Sequence, residues 1–130
     1  MLEVLVAIVV LSLGMLGLAA LQGVTLKNNS NANLRSQAVI QAYDILDRMR
    51  ANSANKADYA ITLTDPAPTT PSTLPQNDQS QWLANLEATL PSGDGGITVN
   101  GDEVEITIQW SERVGAGENS IQQLVFSTQI

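Results

Sequence analysis

Residues 1–21 read MLEVLVAIVVLSLGMLGLAAL and are almost wholly apolar. From Val4 to Leu21 there are 18 residues without a charge, and Ser12 is the single polar side chain among them. As a helix, this stretch is roughly 27 Å long, close to the thickness of a bilayer's hydrocarbon core. The rest of a 130-residue chain is too short to surround it, so we expect a membrane-spanning segment.

Glu3 is the one charge in this stretch. An ionised Glu costs on the order of 2 to 3 kcal/mol or more at mid-membrane, so we expect Glu3 to lie at headgroup depth or to pair with an amine. A simpler alternative, that Glu3 only marks the polar end of the span, stays open. Residues 1–22 lack the basic start and the small-residue cleavage site of a secretory signal, which predicts that the segment is retained.

Composition excludes several functional classes. The net charge of −7 argues against a phosphate-backbone ligand, so we expect no nucleic acid partner. Cys and His are absent, which removes disulfides, thiol nucleophiles and the usual zinc ligands. Glu103 and Glu105 share one strand face, and we interpret them as its solvated side. We expect no catalytic residue, cofactor or metal, and therefore no enzyme.

The first helix should continue to about Ala54, because no proline interrupts it. Its second half carries an apolar stripe that predicts one buried face, widened by Val39, Tyr43 and Leu46. The i,i+4 pair Asp44–Arg48 and the i,i+3 pair Asp47–Arg50 support a helix and need no further role. The predicted seam with a sheet comprises Leu34, Ala38, Ala42, Ile45 and Met49.

A connector rich in Pro and Thr follows the helix and should have little regular structure. Asp78 is the predicted N-cap of a short helix, with Gln81 in the capping-box position and Pro91 as its stop. The apolar side of this helix is formed by Trp82, Leu83, Leu86 and Leu90.

Three antiparallel strands are predicted after this helix. Asn100-Gly101 should form the hairpin between the first two strands. A loop from Ser111 to Asn119, containing Gly115 and Gly117, should lead to a last strand. One face of that strand is predicted to hold Leu124, Phe126, Thr128 and Ile130.

The predicted fold class is α+β, with a long N-terminal helix packed on a small three-stranded antiparallel sheet. We divide the chain into the membrane or filament half of the helix at 1–22, its amphipathic half at 23–55, the connector at 56–80, and the short helix with the sheet at 81–130. Residues 23–130 are expected to form one globular domain.

This organisation resembles type IV pilins. The opening MLEVLVAIVVLSLGMLGLAALQ is similar to the pilin N-terminus just after its processing site, where Glu3 matches the family's glutamate. By this match, the sequence lacks the first two residues of the mature protein. It also lacks the glycine before the cut and a short basic leader. The Leu90-Pro91 turn and the hairpin ending in Trp110 resemble the PilV group of minor pilins. That group is selected by the run Asp47, Arg48, Met49, Arg50, Ala51 and Asn52.

The resemblance implies a minor pilin, a structural subunit that promotes or initiates assembly of the type IV pilus, with twitching motility and adhesion downstream. It implies insertion in the bacterial inner membrane with a periplasmic C-terminal domain, cleavage and N-methylation by a prepilin peptidase, and extraction to the cell surface. The implied partners are other minor pilins and the major pilin. Glu3 would neutralise a neighbour's N-terminal amine, and filament-core packing would involve Val4, Leu5, Ile8, Leu11, Met15, Leu18 and Leu21.

Two other functions stay open. A type II secretion pseudopilin has the same architecture in a different machine, and a membrane-anchored binding module would use the helix only as an anchor. Many pilins close their C-terminal region with a disulfide. Because this chain has no cysteine, we expect strand pairing alone to hold that region.

Overall fold

The computed structural model describes residues 1–114 and 117–130. Helix α1 spans Leu2–Ala51 and is followed by a 3₁₀ helix, Ser53–Tyr59, and by helix α2, Leu74–Thr89. The strands are β1, Asp94–Asn100, β2, Glu103–Arg113, and β3, Asn119–Gln129. The predicted α+β layout is therefore confirmed.

The chain divides into two compact units, Met1–Ala32 and Asn33–Ile130. The first unit is the N-terminal part of α1 alone. The second contains the remainder of α1, the 3₁₀ helix, α2 and the sheet. Helix α1 ends at Ala51, three residues earlier than predicted, because Asn52 leaves helical geometry and is the N-cap residue of the 3₁₀ helix.

The core of the second unit is where α1 meets the sheet. Ala38, Ala42, Ile45 and Met49 are buried, and Leu34 is half-buried against them, so the predicted seam is confirmed. Leu46 widens it as expected, whereas Val39 and Tyr43 stay exposed on the flank of the helix. The facing side chains of the sheet are Ile97, Val104, Ile106, Ile108 and Trp110.

The sheet has the order β1-β2-β3 and is antiparallel throughout. The predicted hairpin is present, but its turn lies one residue later than the predicted Asn100-Gly101. Asn100 pairs with Glu103, so the chain turns on Gly101 and Asp102, with Gly101 at a φ of +65° that favours glycine. Glu103 and Glu105 are exposed, as predicted. β2 extends to Arg113, so the connection to β3 is shorter than the predicted loop from Ser111 to Asn119. Gly115 of that predicted loop lies outside the described residues.

Helix α2 begins at Leu74, so the prediction of an N-cap at Asp78 is wrong. The cap is Thr73, whose hydroxyl accepts a hydrogen bond from the Gln76 backbone N–H at 3.4 Å. Gln76 in turn accepts from the Ser72 backbone N–H at 2.9 Å. Pro75 lies in the first turn, where its fixed φ suits a helix and its missing N–H costs nothing. The predicted stop at Pro91 and the apolar side of α2 are confirmed.

Helix α2 is fixed on both sides by Trp82. The indole N–H of Trp82 donates to the Gln41 carbonyl oxygen of α1 at 3.0 Å. Its ring lies against Gly95 of β1 so closely that a Cβ at that position would overlap it. The glycine at the start of β1 therefore provides the space in which α2 and the sheet share one core.

The seam between α1 and the sheet generates a stability prediction. Ile45 has no exposed surface, and its replacement in Ile45→Ala should lower the free energy of unfolding by about 2 to 5 kcal/mol, through lost burial and a residual cavity. Chemical denaturation of the full chain in detergent, followed by tryptophan fluorescence, measures this.

Ile40 provides the matched control, because it lies on the same helix with 57% of its surface exposed. Ile40→Ala should change stability by no more than about 0.5 kcal/mol. Equal losses in the two variants would contradict the assignment of the buried face.

Candidate functional site

The N-terminal part of α1 is the first candidate site. Glu3 lies in the first turn, where the helix dipole favours a negative charge. No further charge occurs until Lys27. This part of α1 is long and apolar enough to cross a membrane, and the apolar window is not buried against the rest of the chain. The seven predicted packing residues, Val4, Leu5, Ile8, Leu11, Met15, Leu18 and Leu21, are all exposed.

The hydroxyl side chains inside this segment are satisfied locally. Ser12 donates its hydroxyl to the Val9 carbonyl oxygen at 2.8 Å, and Thr25 donates to the Leu21 carbonyl oxygen at 2.9 Å. Such bonds to the preceding turn allow hydroxyls to enter an apolar environment at low cost. Glu3 is the charged group of this segment, and its burial requires a partner from another molecule or a position near water.

The run Asp47–Asn52 forms a second candidate site at the C-terminal end of α1. Arg48 binds Asp44 at 3.1 Å, as predicted, and it also donates to Asp78 Oδ1 at 3.2 Å and Gln81 Oε1 at 3.0 Å on α2. The expectation that this pair has no further role is wrong, because the guanidinium joins the two helices. The Asp47–Arg50 pair is a surface contact at 3.2 Å.

Tyr59 completes this arrangement from the 3₁₀ helix. Its hydroxyl donates to Asp78 Oδ2 at 2.6 Å, and Asn52 Nδ2 lies 3.5 Å from the same hydroxyl. Burial raises the pKa of Tyr59 above 10.0, and the bond to Asp78 raises this pKa further. The neutral phenol thus stabilises the folded state, and this stabilisation is lost only as the pH rises through the raised pKa of Tyr59. We call Arg48, Asn52, Tyr59 and Asp78 the Arg48 network.

The Arg48 network explains the residue types in the run. Met49 is buried in the seam, whereas Arg48 and Asn52, four residues apart, share the face that meets the 3₁₀ helix and α2. Ala51 is the exposed last residue of α1. This geometry is structural, because every polar group named here is matched to another group of the same unit.

A third cluster closes the C-terminal region. Lys56 of the 3₁₀ helix donates to Asp102 Oδ1 and to the Ile130 carbonyl oxygen, both at 2.6 Å. Asp102 lies in the β1–β2 turn, and its carbonyl oxygen accepts from the Ile130 N–H at 2.9 Å. The expectation that strand pairing alone holds this region is therefore wrong. An ionic clip joins the hairpin turn, the end of β3 and the 3₁₀ helix.

Glu112 is a buried carboxylate that sequence reasoning did not single out. Its Oε1 accepts from the Trp110 indole N–H at 3.1 Å and from Arg35 Nε at 3.2 Å. Arg35 is exposed, so the pair lies at the border of the core. A buried carboxylate held by two donors is a structural ion pair, in which loss of the arginine leaves an uncompensated charge.

Within residues 1–114 and 117–130, no group of three Asp or Glu side chains lies close enough together to hold a metal ion. The acidic side chains of the three clusters above are instead engaged with Arg, Lys, Tyr or Trp. Comparison of the chain with protein-family models, with curated proteins and with solved structures gives no match.

The Arg48 network predicts that two arginines of the same run differ in importance. Arg48→Met should lower the free energy of unfolding by about 1 to 3 kcal/mol, since it leaves the largely buried Asp78 without its cation. Arg50→Met removes only a surface pair and should cost less than about 1 kcal/mol. Denaturant titration of both variants measures the difference, and equal losses would show that Arg48 does not join α1 to α2.

The Lys56 clip predicts a pH dependence. Lys56 holds the pKa of Asp102 below its ordinary value of 3.8, through a hydrogen bond and charge attraction. A carboxylate whose pKa is lowered by folding stabilises the folded state at pH values above its pKa in the unfolded chain. This stabilisation is lost as the pH falls through its pKa in the folded protein. The stability difference between the wild type and Lys56→Met should therefore be constant near neutral pH and shrink below pH 3.8.

Thermal unfolding of the full chain in detergent across this pH range provides the measurement. Lys27→Met makes the same charge change at a position with no bond to Asp102 and is the control. A difference between the wild type and Lys56→Met that stays constant down to the lowest pH would contradict the clip.

Proposed function

We propose that this chain is a minor pilin of the type IV pilus, a structural subunit that promotes or initiates pilus assembly. The observation that carries the proposal is the combination of Glu3 in the first turn of α1 with the uncharged and exposed helical residues that follow it. Such a helix suits two environments in succession, a bilayer and a bundle of neighbouring apolar helices.

Transfer between these environments is easy for the apolar side chains. Lipid tails and neighbouring helices are similarly apolar, so Val4, Leu5 and Ile8 lose little when they exchange one for the other. Association then depends on packing and on polar contacts. A carboxylate paired with the N-terminal amine of a neighbouring subunit supplies a strong polar contact in an apolar medium.

Glu3 also provides register in this proposal. A helix that slides along its neighbour by one residue moves its charge by about 1.5 Å, and a slide of one turn moves it by about 5.4 Å. A buried charge without its partner is strongly destabilising. The apolar side chains alone tolerate several registers, so the pair between Glu3 and the amine would select one of them.

The unit Asn33–Ile130 fits the role of the periplasmic domain. Its fold uses the second half of α1 as the central element of its core, so the residues that enter the assembly and the residues that hold the domain belong to one helix. In this proposal, the subunit is trimmed and N-methylated by a prepilin peptidase and waits in the inner membrane. It then joins other minor pilins and the major pilin, with twitching motility and adhesion as downstream effects.

The proposal predicts that Glu3→Ala reduces the number of surface pili by at least about tenfold, because a neighbour's amine is left as an unpaired buried charge. Pili are counted by electron microscopy in cells that express the variant as their single copy. Glu3→Asp keeps the charge and should retain part of the piliation. Ser12→Ala changes a polar side chain of the same segment that bonds within its own helix, and it should leave piliation unchanged.

Unchanged piliation and unchanged recruitment of other minor pilins in Glu3→Ala would contradict the proposal. Loss of exoprotein secretion with normal twitching in a deletion strain would assign the chain to a type II secretion system. Full function after replacement of residues 1–22 by an unrelated span would point to a membrane-anchored binding module.

A further inference from the structure

β3 is the open edge of the sheet. On the opposite edge, Ile97 of β1 exchanges two backbone hydrogen bonds with Ile61, at 2.7 and 3.0 Å, so that edge is partly closed. β3 is the last strand in the sheet order and pairs with β2 along its whole length of 11 residues. Within residues 1–114 and 117–130, no strand pairs with its other side.

The backbone hydrogen bonds that flank β3 determine which backbone groups face this open side. Ile130 N–H bonds to the Asp102 carbonyl, and Val114 N–H bonds to the Glu118 carbonyl, both at 2.9 Å. Because hydrogen-bonded pairs alternate along an antiparallel ladder, the even-numbered residues of β3 bond to β2. The N–H and C=O groups that point away from β2 belong to Ile121, Gln123, Val125, Ser127 and Gln129.

β3 lacks the features that usually protect an edge strand. Residues 119–130 contain no charged residue, proline or glycine, in a chain with a net charge of −7. Both faces carry apolar side chains, with Leu124 and Phe126 on the inner face and Ile121 and Val125 on the outer face. A second strand of the same sequence therefore meets no like charge at any position.

We propose that β3 pairs with β3 of a second copy of this chain, antiparallel and with Val125 at the two-fold axis. In this register, Val125 lies opposite Val125 of the second copy, and Leu124 lies opposite Phe126. The outward-facing residues then form five hydrogen-bonded pairs with two N–H···O bonds each. The β-branched pair at the axis and the aliphatic–aromatic pairs beside it are favourable neighbours across strands.

The flank of α1 gives the added strand an apolar cover. Tyr43 packs on Phe126 of β3, with ring centroids 5.2 Å apart, yet 48% of the Tyr43 surface is exposed. Val39, one turn before it, is 40% exposed. A strand added to β3 extends the sheet beside this flank and covers both side chains, so the dimer buries residues of α1 that one copy leaves in water.

The pairing is independent of the proposed function. A two-fold axis normal to the sheet sets residues 33–51 of the two α1 helices antiparallel, whereas subunits of one polar filament share a direction. The pair is thus not a filament contact. Its failure leaves the minor pilin proposal untouched, and its success does not establish that proposal.

The absence of cysteine allows a direct test by single cysteines in the full chain in detergent. Val125→Cys places two thiols at the axis, where Cα atoms of a hydrogen-bonded pair lie about 5.5 Å apart, within disulfide range. Thr98→Cys is the matched control, because it is exposed on the other edge strand. Oxidation should produce a covalent dimer of Val125→Cys and leave Thr98→Cys monomeric.

A second pair of variants tests the association without a covalent bond. Val125→Lys places two like charges against each other at the axis and should raise the dissociation constant at least about tenfold, measured by sedimentation velocity over a concentration series. Thr98→Lys makes the same change on the other edge and should not alter it. Circular dichroism checks that all variants are folded. The proposal would be overturned if the wild type stayed monomeric over the whole concentration series. It would also be overturned if the two cysteine variants cross-linked equally, or if the two lysine variants associated equally.

Discussion

The main physical constraint on this protein is an uncharged helical segment that the described residues of its own chain leave uncovered. The segment from Val4 to Leu26 has apolar side chains on all sides, and its hydroxyls bond to the preceding turn. Such a helix is stable where lipid or other helices replace water. Glu3 then becomes the residue whose environment decides whether the helix only anchors a domain or also takes part in an assembly.

The same helix serves a different purpose after Asn33. There it is amphipathic, and its buried face meets a thin sheet and the small helix α2. A core of this size has a small margin of stability. Two polar arrangements supplement it, the Arg48 network between α1 and α2 and the Lys56 clip at the end of β3.

The elements that periodicity controls could be predicted from the sequence. The spacing of Ala38, Ala42, Ile45 and Met49 identified the buried face of α1, and Asn100-Gly101 identified the hairpin, because both depend on near neighbours in the chain. The start of α2 could not be placed correctly, since Thr73 with Gln76 and Asp78 with Gln81 offer similar capping patterns. Pro75 was interpreted as part of an irregular connector, although the first turn of a helix accepts it.

The polar contacts were beyond sequence reasoning because they join residues distant in the chain. Arg48 is 30 residues from Asp78, and Lys56 is 74 residues from Ile130. Only the folded core brings these groups together, whereas Asp44 is four residues from Arg48 and therefore visible in the sequence as its partner. Glu112 was not noticed for the same reason, since its partner Arg35 precedes it by 77 residues.

The central claim is that the carboxylate of Glu3 is matched by an amine of another subunit when the chain assembles. High-resolution cryo-electron microscopy of purified assemblies that contain this subunit measures the distance from Glu3 to the nearest nitrogen. We expect an N-terminal amine of a neighbouring subunit within hydrogen-bond reach, about 2.7 to 2.9 Å from a carboxylate oxygen. A Glu3 side chain that faces solvent or lipid, with no amine near it, would contradict the account.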